Sequence, residues 1–214
     1  MNPDSLQALL AASVIRSHAA GQLLSRRGTP LGELIFVLQG SLEASMAGAD
    51  GRRSICWYLA EGQWFGLIPI VDGQAAIHDL RTYSQAVLLH IPRAAFLAAL
   101  QQDRGLAVKC LELLCARSRT LYEHLAAETL LPLRARVARL LLMLVEQHGR
   151  ESAHGQELSL KLSQEALADM LGISRQTLNR ELVALEKAGL ISLAYTRLTL
   201  LDDAALRQMI QAPE

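Results

Sequence analysis

Between residues 174 and 181 the chain reads SRQTLNRE. Arg175, Gln176, Thr177, Asn179 and Arg180 crowd hydrogen-bonding side chains into a turn and a half, in a chain that is 51% hydrophobic. Arginine can donate two hydrogen bonds to guanine N7 and O6, and glutamine or asparagine can both donate to and accept from adenine. Ser174 and Thr177 carry hydroxyls suited to phosphate oxygens. An ordinary solvated helix face favours Glu and Lys, and Glu181 alone represents them here. The chemistry on offer is the reading of base edges in a duplex groove.

The flanking residues predict how that stretch is held. Ser163 opens a short helix, QEALADML, with Ala166, Leu167 and Met170 turned inward. Gly172 allows a sharp turn, Ile173 fills the angle, and Ser174 caps a second helix by accepting from backbone N–H groups further on. That helix is expected to run to Ala188, with Gly189 as its stop. At 100° per residue Leu178, Leu182 and Leu185 share one side, while Arg175, Gln176, Asn179 and Arg180 spread over the other. LISL (190–193) and RLTLL (197–201) read as a two-stranded wing from which Arg197 can reach the backbone of a bound duplex. Upstream, 130–149 reads as a helix begun by Pro132 and ended by Gly149, with Leu133, Val137, Leu140, Leu141 and Leu144 as its apolar face. Arg134, Arg136 and Arg139 near its start are either a phosphate-facing patch or a solvated face.

The first half is punctuated differently. Glycines at 21, 32, 40, 51, 62 and 73 suit tight turns between short strands. LIFVL (34–38) is continuously apolar. SLEASM (41–46) alternates, with Leu42, Ala44 and Met46 on one side and Glu43 and Ser45 on the other. Asp50-Gly51 signals a hairpin into SICWYL (54–59), and AVLLHI (86–91) is a further buried strand. The expectation is an antiparallel β-roll, jelly-roll-like, over about residues 20–92. From Pro92 to Glu128 Gly105 is the one turn signal, and Ala107, Leu111, Leu114, Ser118, Leu121 and Leu125 recur in a three-four alternation on a long helix. Such a seam would pair two copies of the helix across a two-fold axis; the alternative is that it packs on its own barrel. The fold class expected is α+β, with a roll over 1–99, a long dimerisation helix and hinge over 100–131 and a winged helix-turn-helix over 132–214.

With these residues in view the chain resembles the Crp/Fnr family of dimeric bacterial transcription regulators. The resemblance rests on LSQEALADMLGISRQTLNRELVALEKAGLI (162–191), GELIFVLQGSLEA (32–44) and LAEGQWFGLIPIVDGQ (59–74). It implies a cyclic-nucleotide-binding-like roll and a homodimer on a two-fold-related DNA operator. It also implies base contacts from Arg175, Gln176 and Arg180, with Gln176 standing where Glu is common. A loop over HGQEL (154–158) would lie where relatives touch RNA polymerase. The state of the roll would pass through the long helix to a hinge around Thr129–Pro132. Relatives that bind cAMP carry Gly-Glu and then Arg-Ser or Arg-Thr on the roll; here Gly66-Leu67-Ile68 and Ala75-Ala76-Ile77 stand there. Without a carboxylate for the ribose and an arginine for the phosphate, the resemblance implies no cAMP site. Three effector readings remain: a small apolar ligand lined by Gly66, Leu67, Ile68, Ala76 and Ile77; haem with His78 or another histidine as axial ligand; or no ligand.

Other classes find less in the sequence. Twenty-one basic residues balance twenty-one acidic ones, so a nucleic-acid partner must rest on local and not bulk charge. G-x-S-x-G, a phosphate loop and H-E-x-x-H are all missing, which argues against an enzyme. The metal-site expectation is likewise none. No cysteine precedes Cys56, which excludes an N-terminal iron–sulfur cluster, and Cys56, Cys110 and Cys115 read as reduced thiols of a cytoplasmic protein. The N-terminus does not read as a signal peptide, and no apolar run is long enough for a membrane span. The competing reading is a ligand-sensing module whose winged helix binds protein instead of DNA.

Overall fold

The computed structural model describes residues 2–48, 53–153, 155–194 and 197–211. The chain divides into two compact units, Met1–Arg119 and Thr120–Glu214. In chain order the elements of the first are α1 (Pro3–Ala12), β1 (Val14–His18), β2 (Leu23–Ser25), β3 (Glu33–Gln39), β4 (Leu42–Ala47), β5 (Arg53–Leu59), β6 (Trp64–Phe65), α2 (Leu67–Asp72), β7 (Asp79–Thr82), β8 (Ala86–Pro92) and α3 (Arg93–Gln102). Helix α4 (Arg104–Leu130) runs through the division. The second unit continues with α5 (Leu133–His148), β9 (Gly149–Ser152), β10 (Gly155–Leu158), α6 (Gln164–Leu171), α7 (Arg175–Lys187), β11 (Ile191–Ala194), β12 (Arg197–Leu200) and α8 (Asp203–Gln211).

The roll is made of two antiparallel four-stranded sheets, ordered β1-β8-β3-β6 and β2-β7-β4-β5. Strand alternation sorts their side chains into two cores. Ile35, Val37, Ala86 and Leu88 of the first sheet meet Leu42, Ala44, Leu59 and Leu80 of the second. Leu34 and Ile91 point the other way, onto Leu9, Leu67, Ile70, Phe96, Ala99 and Leu106 of the helices. Apolar burial on both faces explains why LIFVL lacks alternation. Gly40 shows how tightly the chain must turn: it has φ +88°, and an added Cβ would lie 2.3 Å from the Gln85 carbonyl oxygen.

Glu43 and Ser45, which alternate with Leu42, Ala44 and Met46, are themselves both buried, Glu43 at 6% exposure. Glu43 Oε2 accepts from the Arg53 guanidinium at 3.0 Å and from the Tyr58 hydroxyl at 3.4 Å, which satisfies one of the carboxylate oxygens within the sheet. Two expectations need correction here. The helical stretch after Pro92 is two helices and not one. Asp103 ends α3 and begins α4: its N–H donates to the Ala99 carbonyl while its carboxylate accepts from the Leu106 N–H at 2.9 Å. The same carboxylate accepts from the Asn2 N–H, fastening α1, which Asn2 also caps. Those backbone donors hold Asp103 below the usual carboxylate range. The second correction is HGQEL: residues 155–158 are strand β10, paired with β9 and β12, and not a loop. The Asp50-Gly51 turn and His154 lie outside the described residues.

In the second unit α5 supplies the central apolar surface, with Val137, Leu140, Leu141 and Leu144 buried and Leu133 half-buried. Helices α6, α7 and α8 pack around it, and β9–β12 form a sheet ordered β11-β12-β10-β9. Among the described residues no helix is long and apolar enough to cross a membrane.

Candidate nucleic-acid interface

The corner between α6 and α7 is built from local chemistry. The Ser163 hydroxyl accepts from the Ala166 N–H at 3.0 Å, and Gly172 takes φ +65° to end α6. After two further residues the Ser174 hydroxyl accepts from the Thr177 N–H at 3.1 Å, starting α7. Leu178 (0% exposed), Leu182 and Leu185 then fix the rotation of α7. With one face committed to the core, Arg175, Gln176, Asn179 and Arg180 are exposed together on the other. No hydrogen bond or ion pair holds Arg175, Gln176 or Arg180 to another described residue, so their donors and acceptors are available. Asn179 is the partial exception, because its Oδ1 accepts from the Gln164 amide at 3.3 Å. The Ser174 and Thr177 hydroxyls lie 2.8 Å apart, and Thr177 is half-buried, so both already serve the cap.

Glu181 belongs to the scaffold. Its carboxylate accepts from Arg134 Nε at 2.9 Å and ties α7 to α5. The expected patch of Arg134, Arg136 and Arg139 on α5 therefore does not stand free. Arg136 donates to the Leu171 carbonyl at 3.2 Å and reaches Glu128, and Arg139 lies 3.9 Å from Glu123. Each guanidinium has a protein partner, and Arg134 stays exposed beside its own. On the wing β11 pairs with β12, Glu186 accepts from the Leu193 N–H at 2.9 Å, and Arg197 is exposed at the start of β12.

The roll residues named as a pocket occupy different settings. Leu67, 2% exposed, packs into the helix-side core, and Gly66 before it needs φ +96° beside Leu31. Ile68 and Ile77 are exposed. Ala76 is buried, its N–H donating to the Thr29 carbonyl and its carbonyl accepting from Gly28. His78 stacks edge-on against Trp57 with ring centroids 4.8 Å apart. Burial, then the nearby charges of Arg27 and Arg117, hold its imidazole below its ordinary value. Arg117, on α4, is half-buried and donates to the Trp64 carbonyl at 2.6 Å. Sequence spacing missed Arg27 and Arg117, since neither lies near His78 in the chain; a cation on the inward side of a long helix was the available clue. Burial raises the thiols of Cys56 and Cys110, which disfavours the thiolate at both.

Along α4 the exposed seam differs by one residue in places from the expected one. Leu111, Ser118, Leu121 and Leu125 are exposed as expected. Leu114 instead packs with Cys110 and Leu113 on its own helix-side core, and Ala107 is half-buried. Val108, Leu111, Cys115, Ser118, Tyr122 and Leu125 make the exposed three-four stripe, with Tyr122 73% exposed. The chain's own roll claims the side on which Leu114 lies, so the open stripe rotates toward Tyr122.

A corner of two capped helices, an outward polar helix face and a wing define a winged helix-turn-helix, and two facing antiparallel sheets define a β-roll. Comparison with known proteins agrees. The model of the cyclic nucleotide-binding domain matches residues 15–103, and that of the Crp-like helix-turn-helix domain matches residues 135–209. The nitrogen fixation regulation protein FixK of Azorhizobium caulinodans is 31% identical over 175 residues, covering 81% of this chain and 69% of that protein. A global nitrogen regulator of Synechocystis sp. is 28% identical over 93% of this chain and 89% of its own. The solved structure of FixK2 from Bradyrhizobium japonicum superposes with a TM-score of 0.83 at 20% identity, over 94% of this chain and 99% of that one. The chain belongs to the Crp/Fnr family of transcription regulators. That is a family of regulators and not of enzymes.

Proposed function

We propose that the protein is a homodimer that binds a two-fold-related DNA operator by inserting α7 of each protomer into the major groove. In this reading the roll (1–99) is the sensor, 100–131 is the dimerisation helix and hinge, and 132–214 binds DNA. Arg175, Gln176 and Arg180 read bases; Asn179 assists through its amide nitrogen; Ser174, Thr177 and Arg197 meet the phosphate backbone. The observation that carries this is the single exposed face of α7, with four long polar side chains opposite three buried leucines. The open stripe from Val108 to Leu125 supports dimerisation, because exposed leucines and a tyrosine at heptad spacing suit a helix pair. RNA polymerase is the further protein partner that a family regulator of this kind would meet, in the cytoplasm.

The roll is proposed not to hold cAMP. Leu67, where a ribose-binding carboxylate would stand, is a core residue, and Ala75–Ala76–Ile77 offers no charge to a phosphate. The effector, if one binds, is a different small molecule, with Arg27 and Arg117 placing positive charge beside His78 within the roll unit.

The experiment is selection of bound duplexes from a random pool, followed by fluorescence anisotropy on the selected operator and native mass spectrometry. A two-fold-related consensus, dimer mass and binding that falls steeply with salt are expected. A folded dimer that enriches no sequence would refute the DNA reading and favour protein contacts. Millimolar cAMP is expected to leave the unfolding temperature unchanged, whereas a Soret band in the purified protein would favour haem.

A further inference from the structure

At the edge of the roll His18 on β1 and His90 on β8 point their rings at each other, with Nε2 atoms 3.1 Å apart and ring centroids 5.2 Å apart. Each Nδ1 is already engaged. His90 Nδ1 is 2.9 Å from Glu33 Oε2, and His18 Nδ1 is 3.2 Å from Gln22 Oε1. The Glu33 carboxylate only accepts, so His90 carries its proton on Nδ1 and a lone pair on Nε2; with the Gln22 oxygen toward His18 Nδ1, the His18 ring takes the same tautomer. Two neutral rings in that tautomer bring two Nε2 lone pairs within 3.1 Å of each other, a pair of ligands for a cation.

A metal ion can take both lone pairs without protonating either ring. With metal–nitrogen bonds of about 2.0–2.1 Å, a nitrogen separation of 3.1 Å subtends about 100° at the metal, close to tetrahedral. The outer contacts also have the form that orients metal-binding imidazoles, a carboxylate on one Nδ1–H and a carbonyl oxygen on the other. Arg16 grips Glu33 through two contacts, of 3.1 and 3.4 Å, which fixes that carboxylate and balances its charge.

We propose that His18 and His90 bind one divalent metal ion of the zinc type through their Nε2 atoms, with Glu33 and Gln22 setting the tautomers and water completing the coordination. The half-exposed side of His18 admits that water. Among the described residues no cluster of three or more His, Cys, Asp or Glu side chains is arranged for a metal, so the site has two protein ligands. It stands apart from the DNA-binding reading and does not depend on it.

The test is calorimetric titration of zinc sulfate into the full chain, freed of any tag and stripped with chelator. One equivalent per chain is expected in the tightest phase. His18→Gln abolishes that phase, and Glu33→Gln weakens it about 10- to 100-fold. His124→Gln, a histidine of the other unit, leaves it intact. His18 is only half-buried, so its variant is expected to match the wild-type circular dichroism and metal-free unfolding temperature, which separates lost binding from lost folding. Nitrogen-15 spectra of the zinc-loaded protein should show both rings protonated on Nδ1. Absence of a saturable phase in the wild type, or its survival in folded His18→Gln, would overturn the proposal. So would a His18 Nε2–H donated to His90 in the presence of zinc, the arrangement the opposite Gln22 amide rotamer would set.

Discussion

Replacing Arg180 with alanine tests the reading of α7 most directly. The side chain is exposed and makes no hydrogen bond or ion pair to another described residue, so stability should move by less than about 0.5 kcal/mol. On DNA the expected effect is large. An arginine that donates two hydrogen bonds to guanine contributes about 1–3 kcal/mol of discrimination, and a dimer presents it once in each half-site. The loss on a two-fold operator is therefore about 2–6 kcal/mol, from roughly 30-fold to above 10,000-fold in Kd. Anisotropy on the selected operator and on a scrambled duplex, each at about 50 and 200 mM salt, separates the possible contacts. A base contact weakens operator binding far more than scrambled binding and leaves the salt dependence nearly unchanged. A phosphate contact weakens both alike and makes the dependence shallower. Arg134→Ala is the internal comparison, because its guanidinium is committed to Glu181 and its loss should act through the scaffold. Unchanged operator affinity in a folded Arg180→Ala dimer would refute the reasoning.

Ser174→Ala removes the hydroxyl that starts α7 and should cost about 1 kcal/mol of stability, read as a lower unfolding midpoint of the second unit. Tyr122→Glu with Leu125→Glu places charge on the open stripe of α4. Light scattering should then report monomer mass, with circular dichroism unchanged because neither side chain is buried. His78 is held below the ordinary imidazole value of 6.5, chiefly by burial. As pH falls below that value the unfolded chain takes up a proton that the folded one does not, so stability declines and levels off below the folded pKa. Denaturation midpoints measured between pH 7.5 and 5 should fall, and His78→Gln should reduce the fall. Gly40→Ala forces a Cβ against the Gln85 carbonyl at a left-handed φ, and should lower soluble yield and the unfolding midpoint sharply.

Much of this was legible because it is written in local rules. A capping serine, a left-handed glycine and leucines at helical spacing act over a few residues, so SRQTLNRE announced its helix, its buried side and its outward side without any tertiary information. The strands of the roll announced themselves by glycine spacing and apolar runs for the same reason. Packing decided what the pattern left open. Glu43 alternates like a surface residue yet is buried, with Arg53 and Tyr58 on β5 coming across to one of its carboxylate oxygens. Leu114 fits a seam by spacing, and a core assembled from α1, α2 and α3 takes it instead. Arg136 and Arg139 counted as charge in the sequence, but partners more than a turn away had already engaged them. His18 and His90 stand 72 residues apart, and only the pairing of β1 with β8 brings their rings to face each other. Sequence periodicity determines which side of an element is apolar; which neighbour that side meets, and which polar atoms meet in space, depends on contacts between segments remote in the chain.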